Sequence, residues 1–412
     1  MMKKTTVQAP DILHKNFLSI SDFLASSKLY DNVFLLGSLQ SGVTLYKQQV
    51  RSHNLIWALS EAELLTETSR VAVIGGGASG LTAAAAILVK NSTATVTIFE
   101  RHSDFCPLQL GCDIRWIHPK IYSWPSAGSR EGSAGLPILN WREGRASDVA
   151  SYILKGFAQI AQKHDLSSER LKAFLEVEHI RFNPTTMKID WIGKETAFKS
   201  DFFQKRRSIG CSDQFDLVIL ATGFGREIAP ANFVNRLYWQ NDFLAQPELS
   251  NEKKVYLVSG TGDGALVDVF RLTIERFRQE RILKELFASD IDIFEAKFAQ
   301  KITSSQAKGQ SWLKLFDELI VESEPLKLAC DELGRRIRSD TKVLLHISGK
   351  HGNVREFHQV LDAKSSVINK IIIFLLLRNG AFIPVCGDME TVIRSYSVDI
   401  ENVICRHRTR QI

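Results

Sequence analysis

Residues 70–90 read RVAVIGGGASGLTAAAAILVK. Four apolar residues lead straight into three glycines, and an alanine-rich helical pattern follows. Glycine costs roughly 0.5–1 kcal/mol of backbone entropy relative to alanine in regular structure, so this stretch needs bare backbone. The alternating TVTIFE at 95–100 predicts a second strand that ends in an acid, Glu100, twenty residues past Gly80. Strand, Gly75-x-Gly77-x-x-Gly80, helix, strand and acid together form the pattern of a dinucleotide-binding βαβ unit. Gly75 allows the tight turn, Gly77 lets the backbone approach a pyrophosphate, and Gly80 lets helix and strand pack closely. The helix N-terminus offers unpaired N–H groups to phosphate. Glu100 is placed to accept from ribose hydroxyls.

The chain around this unit has 412 residues, 44% apolar and 24% charged, which is ample for two or three domains. Net charge is +6 and the pI is near 8.9. Lys and Arg are dispersed, which suits an anionic small molecule and speaks against nucleic acid. The basic end CRHRTRQI reads as a solvated tail. Six irregularly placed cysteines form no disulfide framework and point to a reducing compartment. The opening MMKKTTVQAPDILHKNF has no apolar core of a signal peptide, and IIIFLLL at 371–377 is too short to span a bilayer. A cytoplasmic protein without membrane insertion is expected, with IIIFLLL in a core helix.

Further on, QFDLVILATGFG at 214–225 is a buried strand ending in Ala-Thr-Gly. With the first motif, this resembles the two-dinucleotide-binding-domain flavoproteins, which include thioredoxin reductases, glutathione-reductase-like enzymes and flavin-containing monooxygenases. The resemblance implies an α/β fold with two Rossmann-like domains. It also implies FAD at Gly75, Gly77, Ser79, Gly80, Glu100, Arg101, Thr222 and Gly223. The intervening ASDVASYILKGFAQIAQKHDL reads as an amphipathic helix, and EVEHIRFNPTTMKIDWIG as a β-meander with an Asn-Pro turn.

A second strand–glycine–helix stretch, VYLVSGTGDGALVD at 255–268, stands where that superfamily inserts its NAD(P)H domain. Its spacing departs from the pattern, with Gly260-x-Gly262-x-Gly264, and the Asp263 carboxylate would repel a phosphate nearby. Three readings stay open: NAD(P)H binding, a degenerate Rossmann-like domain, or contact of Asp263 with the flavin ribityl chain. If nucleotide binds, IDIFEA is a strand that places Glu295 at a ribose 2′-hydroxyl, favouring NADH. GAFIPVCGDM ends a strand in Gly387-Asp388, matching the superfamily's last FAD motif or a plain turn. The first of these makes the FAD domain discontinuous. The expected organisation is then an N-terminal extension at 1–69, FAD domain at 70–250, NAD(P)H-binding-like domain at 251–364, and an FAD-domain return at 365–412.

Chemistry is expected from RHSDFCPLQLGCDIRWIHPKIYSWPSAG, because the superfamily's chain wraps the flavin ring after its second strand. Arg115 is a candidate anion holder and His118 a candidate proton donor or acceptor, in a stiff loop with Trp116, Tyr122 and Trp124. A packed structural loop is the alternative. Cys106 and Cys112 are spaced C-x5-C, one residue more than the redox pair of glutathione-reductase-like enzymes. The extra residue turns the second sulfur about 100° around a helix, which favours two buried thiols over a dithiol centre. In the extension, SLQSGVTLYKQQVRSHNLIWALSEAELL predicts a strand and then an amphipathic helix with Val50, Leu55, Ile56 and Leu59 on one face, either capping the flavin or making a homodimer contact. No metal cluster is expected. The expected function is an FAD-dependent oxidoreductase that uses NADH or NADPH on a small-molecule substrate, of monooxygenase or reductase type. A flavoprotein-fold sensor or partner-binding module without turnover is the alternative.

Overall fold

A computed structural model describes residues 19–37, 43–90, 93–164, 170–197, 204–223, 236–249, 252–287, 291–347, 357–362 and 365–407. The chain divides into two compact units. The first comprises Met1–Leu110, Gly135–Trp141 and Ala150–Phe224; the second comprises Gly111–Ala134, Arg142–Val149 and Gly225–Ile412.

In chain order the elements up to residue 220 are α1 (Ile20–Ser27), β1 (Lys28–Tyr30), β2 (Val33–Leu35), α2 (Leu45–Glu61), β3 (Arg70–Ile74), α3 (Ala78–Lys90), β4 (Thr95–Phe99), α4 (Pro107–Leu110), β5 (Trp116–Ile117), β6 (Gly144–Arg145), α5 (Ala146–His164), β7 (Leu171–Asn183), β8 (Lys188–Ala197), β9 (Gln204–Gln214) and β10 (Leu217–Leu220). The short antiparallel pair β5–β6 lies in the second unit. The first unit is built on an eight-stranded sheet of order β1-β2-β10-β3-β4-β7-β8-β9. From β2 to β7 all pairings are parallel, and β7, β8 and β9 form the antiparallel meander expected from the sequence. Its turn is closed by Asn183, whose side-chain oxygen accepts from the N–H groups of Thr185 and Thr186.

The chain order reverses between β3 and β10, and the crevice at the carboxyl ends of strands flanking such a point is where open α/β sheets bind ligands. Two glycines make the turn there. Gly75 has φ +116°, and a Cβ on it would collide with the Ala221 carbonyl. A Cβ on Gly80 would collide with the Gly75 carbonyl oxygen. Gly80→Ala should therefore lower the stability of this unit by at least about 2 kcal/mol, read as a shifted urea midpoint with unchanged slope.

The extension is part of this sheet. Its strand falls at Val33–Leu35, earlier than expected, and pairs in parallel with β10; residues 38–42 lie outside the described residues. The helix is as expected, with Val50, Leu55, Ile56 and Leu59 buried.

The remaining elements are β11 (Lys254–Ser259), α6 (Asp263–Thr273), α7 (Ile282–Phe287), α8 (Ile291–Ala307), α9 (Trp312–Glu322), α10 (Glu324–Arg335), β12 (Thr341–Ile347), α11 (His358–Asp362), α12 (Val367–Arg378), β13 (Ile383–Cys386), α13 (Met389–Tyr396) and β14 (Val403–Cys405). They carry a second, wholly parallel sheet of order β13-β12-β11-β14. Counted along this unit the order is 3-2-1-4, the Rossmann arrangement. IIIFLLL lies in α12 with Ile371 through Leu376 buried, as a core helix should. Among the described residues no helix is long and apolar enough to cross a membrane.

Two expectations are corrected here. Residues 365–407 do not return to the first sheet, because β13 and β14 both pair within the second. The position beside β10 that a returning strand would take belongs to β2. IDIFEA is helical rather than a strand. Ile291, Phe294, Glu295, Phe298 and Ile302 are buried at helical spacing in α8, so the period is 3.6 and not 2.

Candidate dinucleotide-binding site

Glu100 stands at the carboxyl end of β4, 7% exposed. Its Oε2 accepts from the Gly76 N–H at 2.7 Å and its Oε1 from the His102 N–H at 2.9 Å. A carboxylate has about four acceptor positions, so two backbone bonds orient it and leave capacity for ligand hydroxyls. Gly76 is enclosed, since a Cβ there would meet the Phe105 ring and Glu100 Cβ. Gly77 is different: a Cβ on it would meet nothing within 4 Å. The turn is thus tight on its protein side and open in front of α3, whose first-turn N–H groups lack intrahelical acceptors and carry the positive end of the helix dipole. On the other side of β3, the end of β10 presents Thr222 and Gly223, the latter at φ +75°. Arg101 is exposed beside Glu100, its Nε 3.3 Å from His102 Nε2. Ser79 faces the protein, its Oγ 3.0 Å from Ser52 Oγ on α2.

The glycines at 260–264 serve the second unit mainly as packing. Gly260 has φ +135° and abuts the Arg406 carbonyl. Gly264 lies under Tyr238, whose ring carbons would be 3.3 Å from a Cβ. Only Gly262, the residue before α6, faces open space. Asp263 is engaged within the unit. Its Oδ1 accepts from the Ser366 N–H, the Ser366 hydroxyl and the Asn369 amide, each at 2.8 Å, and so ties α6 to the start of α12. Glu295 is paired with Arg130 at 2.6 Å and lies within α8. Gly387-Asp388 links β13 to α13, where Asp388 caps the helix by accepting from the Thr391 N–H and hydroxyl at 2.9 Å.

Arg115 is buried, 1% exposed, in a network within the second unit. It donates to Asp268 Oδ1 at 2.6 Å and to the Tyr238 carbonyl at 2.9 Å, and its guanidinium carbon lies 4.0 Å from the Tyr238 ring centroid. Arg406 and Arg271 also bind Asp268, at 2.8 and 3.1 Å, and Arg271 pairs with Asp242. Burial alone would raise the Asp268 carboxyl, but Arg115, Arg406 and Arg271 outweigh it and hold the group well below the usual carboxylate range. With its donors committed, Arg115 has a structural role in place of the expected anion holding.

His118 is likewise engaged. Its Nδ1 accepts from the N–H groups of Lys120 and Ile121 at 3.1 and 3.0 Å, closing a turn. Trp124 is 1% exposed and stacks among Phe287, Phe294 and Phe298. This aromatic loop is a core element of its unit. Burial pulls the His118 pKa below its ordinary value, outweighing Glu143. A histidine of depressed folded pKa binds its proton more readily in the unfolded chain. Its stabilising contribution is present above about pH 6.5 and is lost as pH falls toward the folded value. Wild type should therefore lose urea stability between about pH 7 and pH 5 more steeply than His118→Asn, which keeps an acceptor but cannot titrate.

Cys106 and Cys112 are both buried and free. Burial, reinforced by Glu100, pushes the Cys106 thiol up to about 12, and burial also raises Cys112. A thiol–disulfide centre needs an accessible, low-pKa thiolate, and neither cysteine supplies one. Cys106→Ser should leave flavin content and any turnover within about twofold of wild type, since an inert thiol is lost.

One constellation was not anticipated. At the carboxyl edge of the second sheet, His346 Nε2 bonds the Gly387 carbonyl at 2.9 Å. Its Nδ1 meets Ser259 Oγ at 2.8 Å, and Ser259 Oγ meets His407 Nε2 at 2.7 Å. The three side chains come from or directly follow β11, β12 and β14, so no local motif announces them.

Residues 73–107 match the family model described as an NAD(P)-binding Rossmann-like domain. That segment runs from the end of β3 through α3 and β4, a Rossmann-like βαβ unit within a mixed α/β fold. Among solved structures, the bacillithiol disulfide reductase of Bacillus cereus is similar at 12% identity and TM-score 0.36, over 78% of this chain and 68% of that one. The Staphylococcus aureus bacillithiol disulfide reductase gives 11%, 0.33, 77% and 66%. A cadaverine monooxygenase of desferrioxamine biosynthesis from Erwinia amylovora, solved with FAD, gives 13%, 0.22, 46% and 44%. The chain spans about two thirds of the length of the two reductases and less than half of the monooxygenase. All three likenesses are remote. No curated protein sequence matches the chain.

Proposed function

We propose that the first unit binds FAD and that the protein is an FAD-dependent oxidoreductase acting on a small molecule. The observation that carries this reading is the β3–α3 turn, closed on its protein side at Gly75 and Gly80 and open at Gly77, with the buried Glu100 carboxylate locked beside it. In this reading the first turn of α3 holds the pyrophosphate and Glu100 the adenosine ribose. Thr222 and Gly223 flank the second half of the molecule. The donor set fits, because backbone N–H groups suit phosphate oxygens and a carboxylate suits ribose hydroxyls. Bound FAD would supply two-electron redox chemistry. The protein's part is to bind, orient and shield it. Purified protein should be yellow and release FAD on denaturation; a colourless preparation that also fails to take up added FAD overturns the proposal.

In the same reading a nicotinamide nucleotide serves as reductant at the second unit, supported by its 3-2-1-4 sheet and by the open Gly262 before α6. Glu295 is not available to choose NADH over NADPH. Mixing the protein anaerobically with each nucleotide tests this, and bleaching of the flavin by neither removes the reductant role. The covered Gly264 and the committed Asp263 favour a second reading, in which the second unit is degenerate and the protein holds nucleotide without turnover. Stable flavin with no consumption of NAD(P)H or O₂ across a metabolite panel would select it.

A further inference from the structure

The two units carry the same strand-to-helix turn, matched by its backbone hydrogen bonds. In the first, the Gly75 N–H bonds the Phe99 carbonyl of β4 at 2.8 Å and the Ala221 N–H bonds the Ile74 carbonyl at 2.7 Å. In the second, the Gly260 N–H bonds the His346 carbonyl of β12 at 3.3 Å and the Arg406 N–H bonds the Ser259 carbonyl at 2.8 Å. The helices begin in step as well, since the Leu81 N–H bonds the Gly77 carbonyl and the Leu266 N–H bonds the Gly262 carbonyl. Gly75 therefore corresponds to Gly260, Gly77 to Gly262, and Gly80 to Ala265. Gly75 and Gly260 share a positive φ, +116° and +135°, and a Cβ on Gly77 or Gly262 would meet nothing within 4 Å. The second turn is thus Gly260-x-Gly262-x-x-Ala265, the form of the dinucleotide fingerprint that ends in alanine. Gly264, under Tyr238, is not one of its positions.

The same register finds the ribose position. In the first unit Phe99 is followed by Glu100, whose carboxylate stands beside the turn. In the second, His346 is followed by Ile347, 1% exposed and packed in the core of its unit. No acid follows in the sequence until Glu356. Asp388, which follows the neighbouring strand β13, is committed to capping α13. Spacing along the chain does not reveal this position. The acid is expected about 20 residues past the last fingerprint residue, but α7, α8, α9 and α10 all lie between α6 and β12.

A carboxylate at this place accepts from the ribose 2′-hydroxyl and repels a 2′-phosphate, and that repulsion is how such a site rejects NADPH. We infer that Ile347 removes the rejection, so that the second unit takes the 2′-phosphorylated nucleotide, NADPH, at least as readily as NADH. This rests on the reading in which a nicotinamide nucleotide is the reductant at the second unit. The preference is set by what the position lacks: an isoleucine neither accepts from a hydroxyl nor carries charge.

Isothermal titration of the full chain supplied with FAD, using NADP⁺ and NAD⁺ in separate runs, reads the ratio of affinities without turnover. Wild type should bind NADP⁺ at least as tightly as NAD⁺. Ile347→Glu should move the ratio toward NAD⁺ by about tenfold or more, and the uncharged Ile347→Gln should not move it. Ile347→Asp replaces the Glu variant if that one misfolds by circular dichroism, and if both misfold the wild-type ratio decides alone. A wild-type preference for NAD⁺ of about tenfold or more overturns the inference and leaves the nicotinamide reading standing. A folded Ile347→Glu with an unchanged ratio does the same. Binding of neither nucleotide removes the reductant site and the inference with it.

Discussion

Gly77→Asp should leave the fold intact and abolish dinucleotide binding. A side chain at this position meets nothing within 4 Å, so the substitution creates no clash in the protein. It does put a carboxylate in front of α3, where the proposed pyrophosphate approaches. Two like charges about 4 Å apart repel by roughly 4 kcal/mol at an effective dielectric near 20. That corresponds to about a thousandfold loss of affinity. The variant should purify colourless, with a melting temperature matching that of stripped wild type. Gly77→Ala is the control, since a methyl group in open space carries no charge, and it should retain most of its flavin. If both variants stay yellow, the pyrophosphate is not at this turn.

Asp268→Asn should destabilise the second unit by about 3–5 kcal/mol, measured by urea or thermal unfolding. The carboxylate is fully buried and bonded to Arg115, Arg271 and Arg406. An amide is nearly isosteric, so the effect isolates charge: Arg115 and Arg271 would keep Asp242 as a carboxylate partner, and Arg406 would lose its ion pair with Asp268. Removing one partner of a buried pair exposes the desolvation cost of those left behind, and that accounts for the size of the effect. A change under about 1 kcal/mol would mean that solvent or rearranged side chains screen the cluster far better than its burial implies.

Much of the first unit was legible because its determinants are local. Strand alternation, glycine spacing and a terminal acid all fall between residues 70 and 100, and each reports a steric or hydrogen-bonding need of the adjacent backbone. The meander, the buried face of α2 and the core helix at 371–377 were readable for the same reason, as hydrophobic period is a property of consecutive residues. IDIFEA was misread because six residues cannot separate a buried strand from a helix; the later positions Phe298 and Ile302 carry the helical period.

Arg115, His118 and Gly387-Asp388 could not be placed from the sequence. A buried arginine and a substrate-binding arginine look alike until their partners are known, and those of Arg115 lie 123 to 153 residues away. The same holds for Ile347, which looks like any strand residue until the sheet register sets it beside the Gly260 turn. Sequence alone determined that a Rossmann turn exists and which backbone positions must be bare, because those are short-range steric facts. Tertiary structure alone decided that β2 and not β13 lies beside β10. Strand neighbours are chosen by which parallel edge is free and which helix covers it, and that competition is settled between segments about 160 residues apart or more, beyond the reach of any local pattern.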